Sequence, residues 1–132
     1  GAVADWRVGD AAGEKLKKGS GGPPQLALTA NPDILRTIAL RKEGRPLLVV
    51  GFAAETEQVV KHATEKLEKK GCDLIVANDV SPEKGVFGGD QNSVHLVSKS
   101  GVESWPAMSK RDVAHRLMLQ LSEMLHHQRT TP

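Results

Sequence analysis

Leu26, Leu28 and Ala30 alternate with Gln25, Ala27 and Thr29, the two-residue period of a strand with one apolar side. At Asn31-Pro32 the period changes. Asn can cap a helix through its side chain, Pro suits the first helical position, and Asp33 favours the positive helix end. Ile34, Leu35, Ile38 and Ala39 then recur at helical spacing until Gly44. The unit repeats. "PLLVVGF", residues 46–52, reads as a strand buried on both faces and ends in the short turn "AAET". From Thr56 a helix sets Val59, Val60, Ala63 and Leu67 on one side and most of its lysines and glutamates on the other, closing at Gly71.

"CDLIVAND" is a third apolar strand, and "SVHLVSK", residues 93–99, alternates as an outer strand does before a turn around Gly101. A last amphipathic helix starts near Ser109, where Ser109 and Asp112 resemble a cap, and turns Val113, Leu117, Leu121, Met124 and Leu125 inward. "HHQRTTP", residues 126–132, is expected to fray. The opening "GAVADWRV" reads as the end of a strand closing at Asp5, so residues 1–132 are expected to be a portion of a longer protein. Strands alternating with helices over short connections predict an α/β fold with a mainly parallel sheet and helices on its faces.

Composition narrows the partners. With 132 residues, 39% hydrophobic and 26% charged, the chain suits one domain with a real core. A formal charge of +2 gives no ground for a nucleic-acid partner, so any basic site is local. The single cysteine, Cys72, excludes an internal disulfide and a CxxC metal pair, which points to a reducing cytoplasm. No apolar run reaches membrane-spanning length, and no membrane partner is expected.

In parallel α/β sheets ligands bind beyond the carboxyl ends of the strands. Those ends carry Asp5, then Asn31 to Leu35, then Phe52 to Thr56, then Asn78 to Ser81. The amides opening the helix after Pro32 can hold anionic groups, and Asp5 and Asp33 offer carboxylates suited to a hydrated magnesium ion. Lys15, Lys17 and Lys18 lie on the loop after the first strand, and Lys66 and Lys70 share one side of the second helix. Each feature also has a plain structural reading. The lysine loop can be merely solvated, Lys66 and Lys70 an outer charged face, Asn31-Pro32-Asp33 a helix start, and Asp79 the cap of a turn. Cys72 opens an apolar strand and reads as a buried small residue, and the five histidines follow no metal-ligand spacing. No GxGxxG follows a strand, which argues against a dinucleotide-dependent oxidoreductase.

The combination is more specific than its parts. "AVADWR", "EKLKK", "ANPDIL", "VVGFAAET", "KLEKKGCDLIVANDVS" and "GVFGGDQNSVHLV" resemble the C-terminal part of the bacterial phosphopantothenoylcysteine synthetases, from Ala2 to about Leu125. The resemblance implies a Rossmann-like three-layer α/β/α domain in the cytoplasm. It also implies CTP-dependent joining of 4'-phosphopantothenate to cysteine through an acyl-cytidylate, with magnesium, in coenzyme A biosynthesis. By matching position it implies Lys15 as the catalytic lysine of the KxKK loop, with Lys17 and Lys18 in support. The implied nucleotide contacts are Gly1, Asp5, Lys15, Pro32, Asp33, Ile34, Leu35, Phe52, Lys66 and Lys70, with Asp5 also the implied metal ligand. Such synthetases dimerise, and they are usually fused to a decarboxylase half that carries FMN. The family's N-terminal Gly-rich βα part has no counterpart in this sequence, so the chain by itself is expected to turn over weakly or not at all. A non-catalytic nucleotide-binding or assembly module and an ATP-using ligase of the same type are the alternatives.

Overall fold

The computed structural model describes residues 3–10, 13, 17–85 and 91–130. They fall into two compact units, Gly1–Ile34 and Leu35–Pro132.

In the first unit β1 (Trp6–Val8) pairs antiparallel with β2 (Leu28–Ala30), Trp6 facing Ala30 and Val8 facing Leu28. Asp5 therefore precedes a strand instead of closing one, because the residues that find ladder partners begin at Trp6. Asn31 fastens this pair. Its Nδ2 donates to the Ala4 carbonyl at 2.7 Å, its backbone N–H to the Asp5 carbonyl at 2.8 Å, and its Oδ1 accepts from Arg7 Nη1 at 3.1 Å. These bonds occupy the side chain expected to cap the next helix, and α1 (Ile34–Ala39) starts three residues later.

The second unit contains β3 (Val50–Glu55), α2 (Val59–Lys70), β4 (Leu74–Asp79), α3 (Pro82–Gly85), β5 (Gln91–Ser98), β6 (Gly101–Ser104), β7 (Met108–Ser109) and α4 (Lys110–Thr130). The sheet order is β3-β4-β5-β6, with β7 on β5. Helices cover both faces. Ala63 and Leu67 of α2 and Leu35, Ile38 and Ala39 of α1 pack with Ala53, Ile75, Ala77 and Val97. Leu117 and Leu121 of α4 pack with Leu74, Val76, Val94, Leu96 and Trp105 on the other face. Leu74 to Ala77 thus feed both cores in alternation, as a strand must when covered twice.

The α/β class and three layers are as expected; the strand directions are mixed. Among the described pairings β3 and β4 are parallel, joined through α2, while β4–β5, β5–β6 and β5–β7 are antiparallel. The expectation of a mainly parallel sheet is corrected to this one parallel pair. The physical reason is the connection: β4 leads to β5 with only the four-residue α3 described between them, and a parallel return needs a longer crossover helix. β5 is also central instead of outer, flanked by β4 and β6. "AAET" is mostly strand, because Ala53, Ala54 and Glu55 stay in register with Ala77, Asn78 and Asp79.

Helix ends follow backbone conformation. Gln58 sits at φ 44° and delays α2 to Val59, and Gly71 ends it at φ 74° with its N–H on the Leu67 carbonyl at 3.0 Å. Ser109 caps α4 as expected, its Oγ accepting from the Asp112 N–H at 3.1 Å. α4 continues through His126 to Thr130, the stretch expected to fray. Among the described residues no helix is long and apolar enough to cross a membrane.

Candidate functional site

Glu55 ends β3 with a side chain 14% exposed. Its backbone is fixed twice, by pairing opposite Asp79 and by a bond from the Val80 N–H to its carbonyl at 2.9 Å. Two side chains of α2 reach the carboxylate: Lys66 Nζ lies 2.6 Å from Oε1, and His62 Nδ1 lies 3.4 Å from Oε2. Residues four apart lie one above the other on a helix, so His62 and Lys66 present themselves to one acceptor. The Lys66 ammonium beside it holds the Glu55 carboxyl below its usual range against the opposing effect of burial, with His62 adding to it.

Lys66 and Lys70 are half-buried, whereas Glu65, Glu68 and Lys69 beside them are exposed. The outer charged face is therefore made by those three residues, and Lys66 and Lys70 lie on the inner flank of α2.

Phe52 belongs to the other face of β3. Gly51 and Ala53 point toward the α1–α2 core, Val50 toward the α4 core, and Phe52 on the Val50 side is 72% exposed. An aromatic ring at that exposure on a strand contributes little to the core and offers a flat apolar surface to a ligand. The Leu35 side chain is in the core and approaches Gly51 so closely that a Cβ there would lie 2.7 Å from Leu35 Cδ2. Beyond the ends of β3 and β4 a shallow depression of about 550 Å³ is lined by Thr56, Gln58, Val59, Asp79, Ser81 and His95, among others. Asp79 Oδ1 accepts from the Ser81 N–H at 3.0 Å, the turn-capping alternative for that residue. His95 Nδ1 lies 2.7 Å from Ser104 Oγ.

In the first unit Asp5, Pro32 and Ile34 are exposed and Asp33 is half-buried. Lys17 and Lys18 are exposed. Lys15 and Gly1 lie outside the described residues. Among the described residues no group of three or more His, Cys, Asp or Glu side chains is placed to hold a metal. Asp5 offers a single exposed carboxylate, which fits one position on a magnesium ion that keeps its waters and rides on phosphate oxygens. Cys72 is 3% exposed, and burial pushes its thiol pKa up, the state of an inert core cysteine.

Sequence reasoning missed two features. Glu55 was concealed inside "AAET" as a turn residue, although an acid ending an apolar strand and followed by a lysine-bearing helix was the available signal. Asp73 gave no signal: its Oδ2 accepts from Arg45 Nη2 at 2.9 Å and from the Val49 N–H at 2.7 Å, contacts that exist only in the folded chain.

Comparison with known proteins shows the family. The family described as DNA/pantothenate metabolism flavoprotein C-terminal domain matches residues 1–125. A coenzyme A biosynthesis bifunctional protein CoaBC from Haemophilus influenzae is 43% identical over 122 residues, covering 92% of this chain and 30% of that protein. The protein of the same name from Escherichia coli K12 is 40% identical over 89% of this chain and 29% of its own length. The chain thus spans about 30% of the length of the curated relatives it matches. Among solved structures, the C-terminal domain of a CoaBC protein superposes with a TM-score of 0.68 at 32% identity, over 96% of this chain and 53% of that one. The DNA/pantothenate metabolism flavoprotein from Streptococcus pneumoniae gives 0.56 at 25% identity, over 76% and 43%.

Proposed function

Because the chain belongs to the DNA/pantothenate metabolism flavoprotein C-terminal domain family, we propose that it acts in coenzyme A biosynthesis as the nucleotide-using part of a ligase. The reaction joins 4'-phosphopantothenate to cysteine, with CTP as the activating nucleotide. A substrate carboxylate oxygen attacks the α-phosphorus of CTP, the bond to the pyrophosphate oxygen breaks, and an acyl-cytidylate forms. The cysteine amine then attacks the acyl carbon, CMP leaves with the bonding pair, and the amine loses a proton. The decarboxylase half of the CoaBC relatives, with its FMN, supplies the neighbouring step of the same route.

The first step brings an anionic carboxylate against an anionic triphosphate, so its barrier falls as positive charge is held beside the phosphates. Lys15 is assigned that role, with Lys66 and Lys70 as further nucleotide lysines. Phe52 offers its exposed ring, and Pro32, Asp33, Ile34 and Leu35 offer backbone, as do Gly1 and Asp5. Magnesium arriving with the nucleotide draws charge from the triphosphate, and the Asp5 carboxylate is the oxygen this chain would lend it.

The observation that carries the reading is the placement of Lys66: an ammonium held at the carboxyl end of a parallel strand, on the half-buried flank of its helix. Calorimetry of CTP and ATP binding in magnesium, with wild type and Lys15→Ala, tests it. CTP binding tighter than ATP binding, and weakened by Lys15→Ala, is the expected outcome. Equal or absent binding of the two nucleotides would sink it. Release of pyrophosphate from CTP with 4'-phosphopantothenate separates a ligase from a module that only binds.

A further inference from the structure

The geometry points to Glu55 as the positioning residue for Lys66: its carboxylate fixes the Lys66 ammonium at the end of β3 in the place from which that ammonium meets nucleotide phosphate, a role that rests on the nucleotide reading above. A lysine has a long flexible stem and a compact charge, so an untethered Lys66 would spread its ammonium over a wide arc of solvent. Glu55 removes that freedom. The carboxylate is set on a strand held in register with β4, is 14% exposed, and takes Lys66 on Oε1 at 2.6 Å. Oε2 is met separately by His62 at 3.4 Å, so the two side chains do not compete for one oxygen.

The tether leaves Lys66 able to bind. An ammonium has three N–H donors, and its contact with Glu55 is an ion pair to a single carboxylate oxygen. The Lys66 side chain remains 44% exposed, so solvent, and with it an anionic ligand, can reach it. Glu55 itself stays ionised across the neutral range, because Lys66 lowers its pKa. A carboxylate whose function was only to neutralise the lysine would weaken anion binding. One that holds the lysine strengthens binding by sparing the side-chain entropy that would otherwise be lost on contact with the ligand.

The two roles predict opposite signs. CTP binding in magnesium is measured by calorimetry for wild type, Glu55→Ala, Glu55→Gln, Lys66→Ala and the double variant Glu55→Ala/Lys66→Ala, with thermal melting to confirm folding. The positioning role predicts about tenfold weaker binding in Glu55→Ala, a smaller loss in Glu55→Gln, and a double variant no weaker than Lys66→Ala alone. Wild-type or tighter CTP binding in both folded Glu55 variants, with binding still lost in Lys66→Ala, overturns the positioning role and leaves the nucleotide reading standing. Unchanged CTP binding in Lys66→Ala overturns the positioning role while the nucleotide reading stands on the remaining contacts, and absent CTP binding in wild type overturns both. A double variant as weak as the product of the two single losses shows Glu55 acting independently of Lys66 and also overturns it.

Discussion

Asp73 Oδ2 accepts a hydrogen bond from Arg45 Nη2 at 2.9 Å, and the two residues, 28 positions apart, join the approach to β3 to the approach to β4. The same carboxylate oxygen accepts the Val49 N–H at 2.7 Å, and the Asp73 N–H returns a bond to the Val49 carbonyl at 2.9 Å. Arg45 adds bonds from Nε to the Ala39 carbonyl at 2.7 Å and from Nη1 to the Pro46 carbonyl at 2.9 Å. One carboxylate therefore sets where the parallel pair begins. Asp73→Ala leaves the Val49 amide without its acceptor and takes the carboxylate from Arg45, which keeps its backbone carbonyls, and is expected to cost about 2 kcal/mol. Asp73→Asn keeps an acceptor and should lose less. Urea unfolding of the two variants checks the order.

Gly51 is required by the closeness of its neighbours. An added Cβ would lie 2.7 Å from Leu35 Cδ2 and 2.8 Å from Ile75 Cδ1. Gly51→Ala should destabilise by about 1–3 kcal/mol through overpacking. Pairing it with Leu35→Ala, which opens the space, should give a double variant more stable than the sum of the single losses implies, read from the same unfolding curves.

Phe52 makes the opposite case. At 72% exposure it adds little to the core, so Phe52→Ala should leave the melting temperature near that of wild type. The proposed nucleotide contact requires CTP binding to weaken in the same variant. Calorimetry beside the melting curve separates the two effects.

Acid should weaken the fold through Glu55. Its carboxyl ionises more readily in the folded chain than at its ordinary value of 4.5, so its contribution is complete above that pH. The contribution is lost as pH falls through the lower folded-state value. The stability difference between wild type and Glu55→Gln should thus shrink as pH falls below 4.5. Unfolding free energies across that fall in pH measure it.

The β1–β2 pair presents Trp6, Val8 and Leu28 on one face, with Trp6 and Leu28 each 60% exposed. Exposed apolar residues gathered on one face of a short strand pair mark a surface that associates. A homodimer, which the family resemblance implies, is expected to use it. Leu28→Glu should move the chain toward monomer in sedimentation experiments without lowering the stability of the Leu35–Pro132 unit.

Periodicity and local chemistry were enough for much of this protein. The apolar run at Leu74–Asp79, the amphipathic helix closing at Gly71 and the Ser109 cap all depend on neighbours within a few residues, and each is found where its pattern places it. The order of the lysine, proline and glycine motifs was also legible, since a family resemblance is a property of sequence. Strand direction was not. β5 carries the alternation of an outer strand, yet it lies between β4 and β6, because direction and neighbourhood depend on how the chain returns to the sheet. Lys66 shows the same division within one residue. Its i,i+4 spacing with Lys70 fits an exposed charged face as well as a site, and only the packing of α2 beside β3 puts its ammonium on Glu55. Local patterns set which elements form, because their energies come from adjacent residues. Long-range contacts decide which side chains meet, because those energies exist only after the chain has closed.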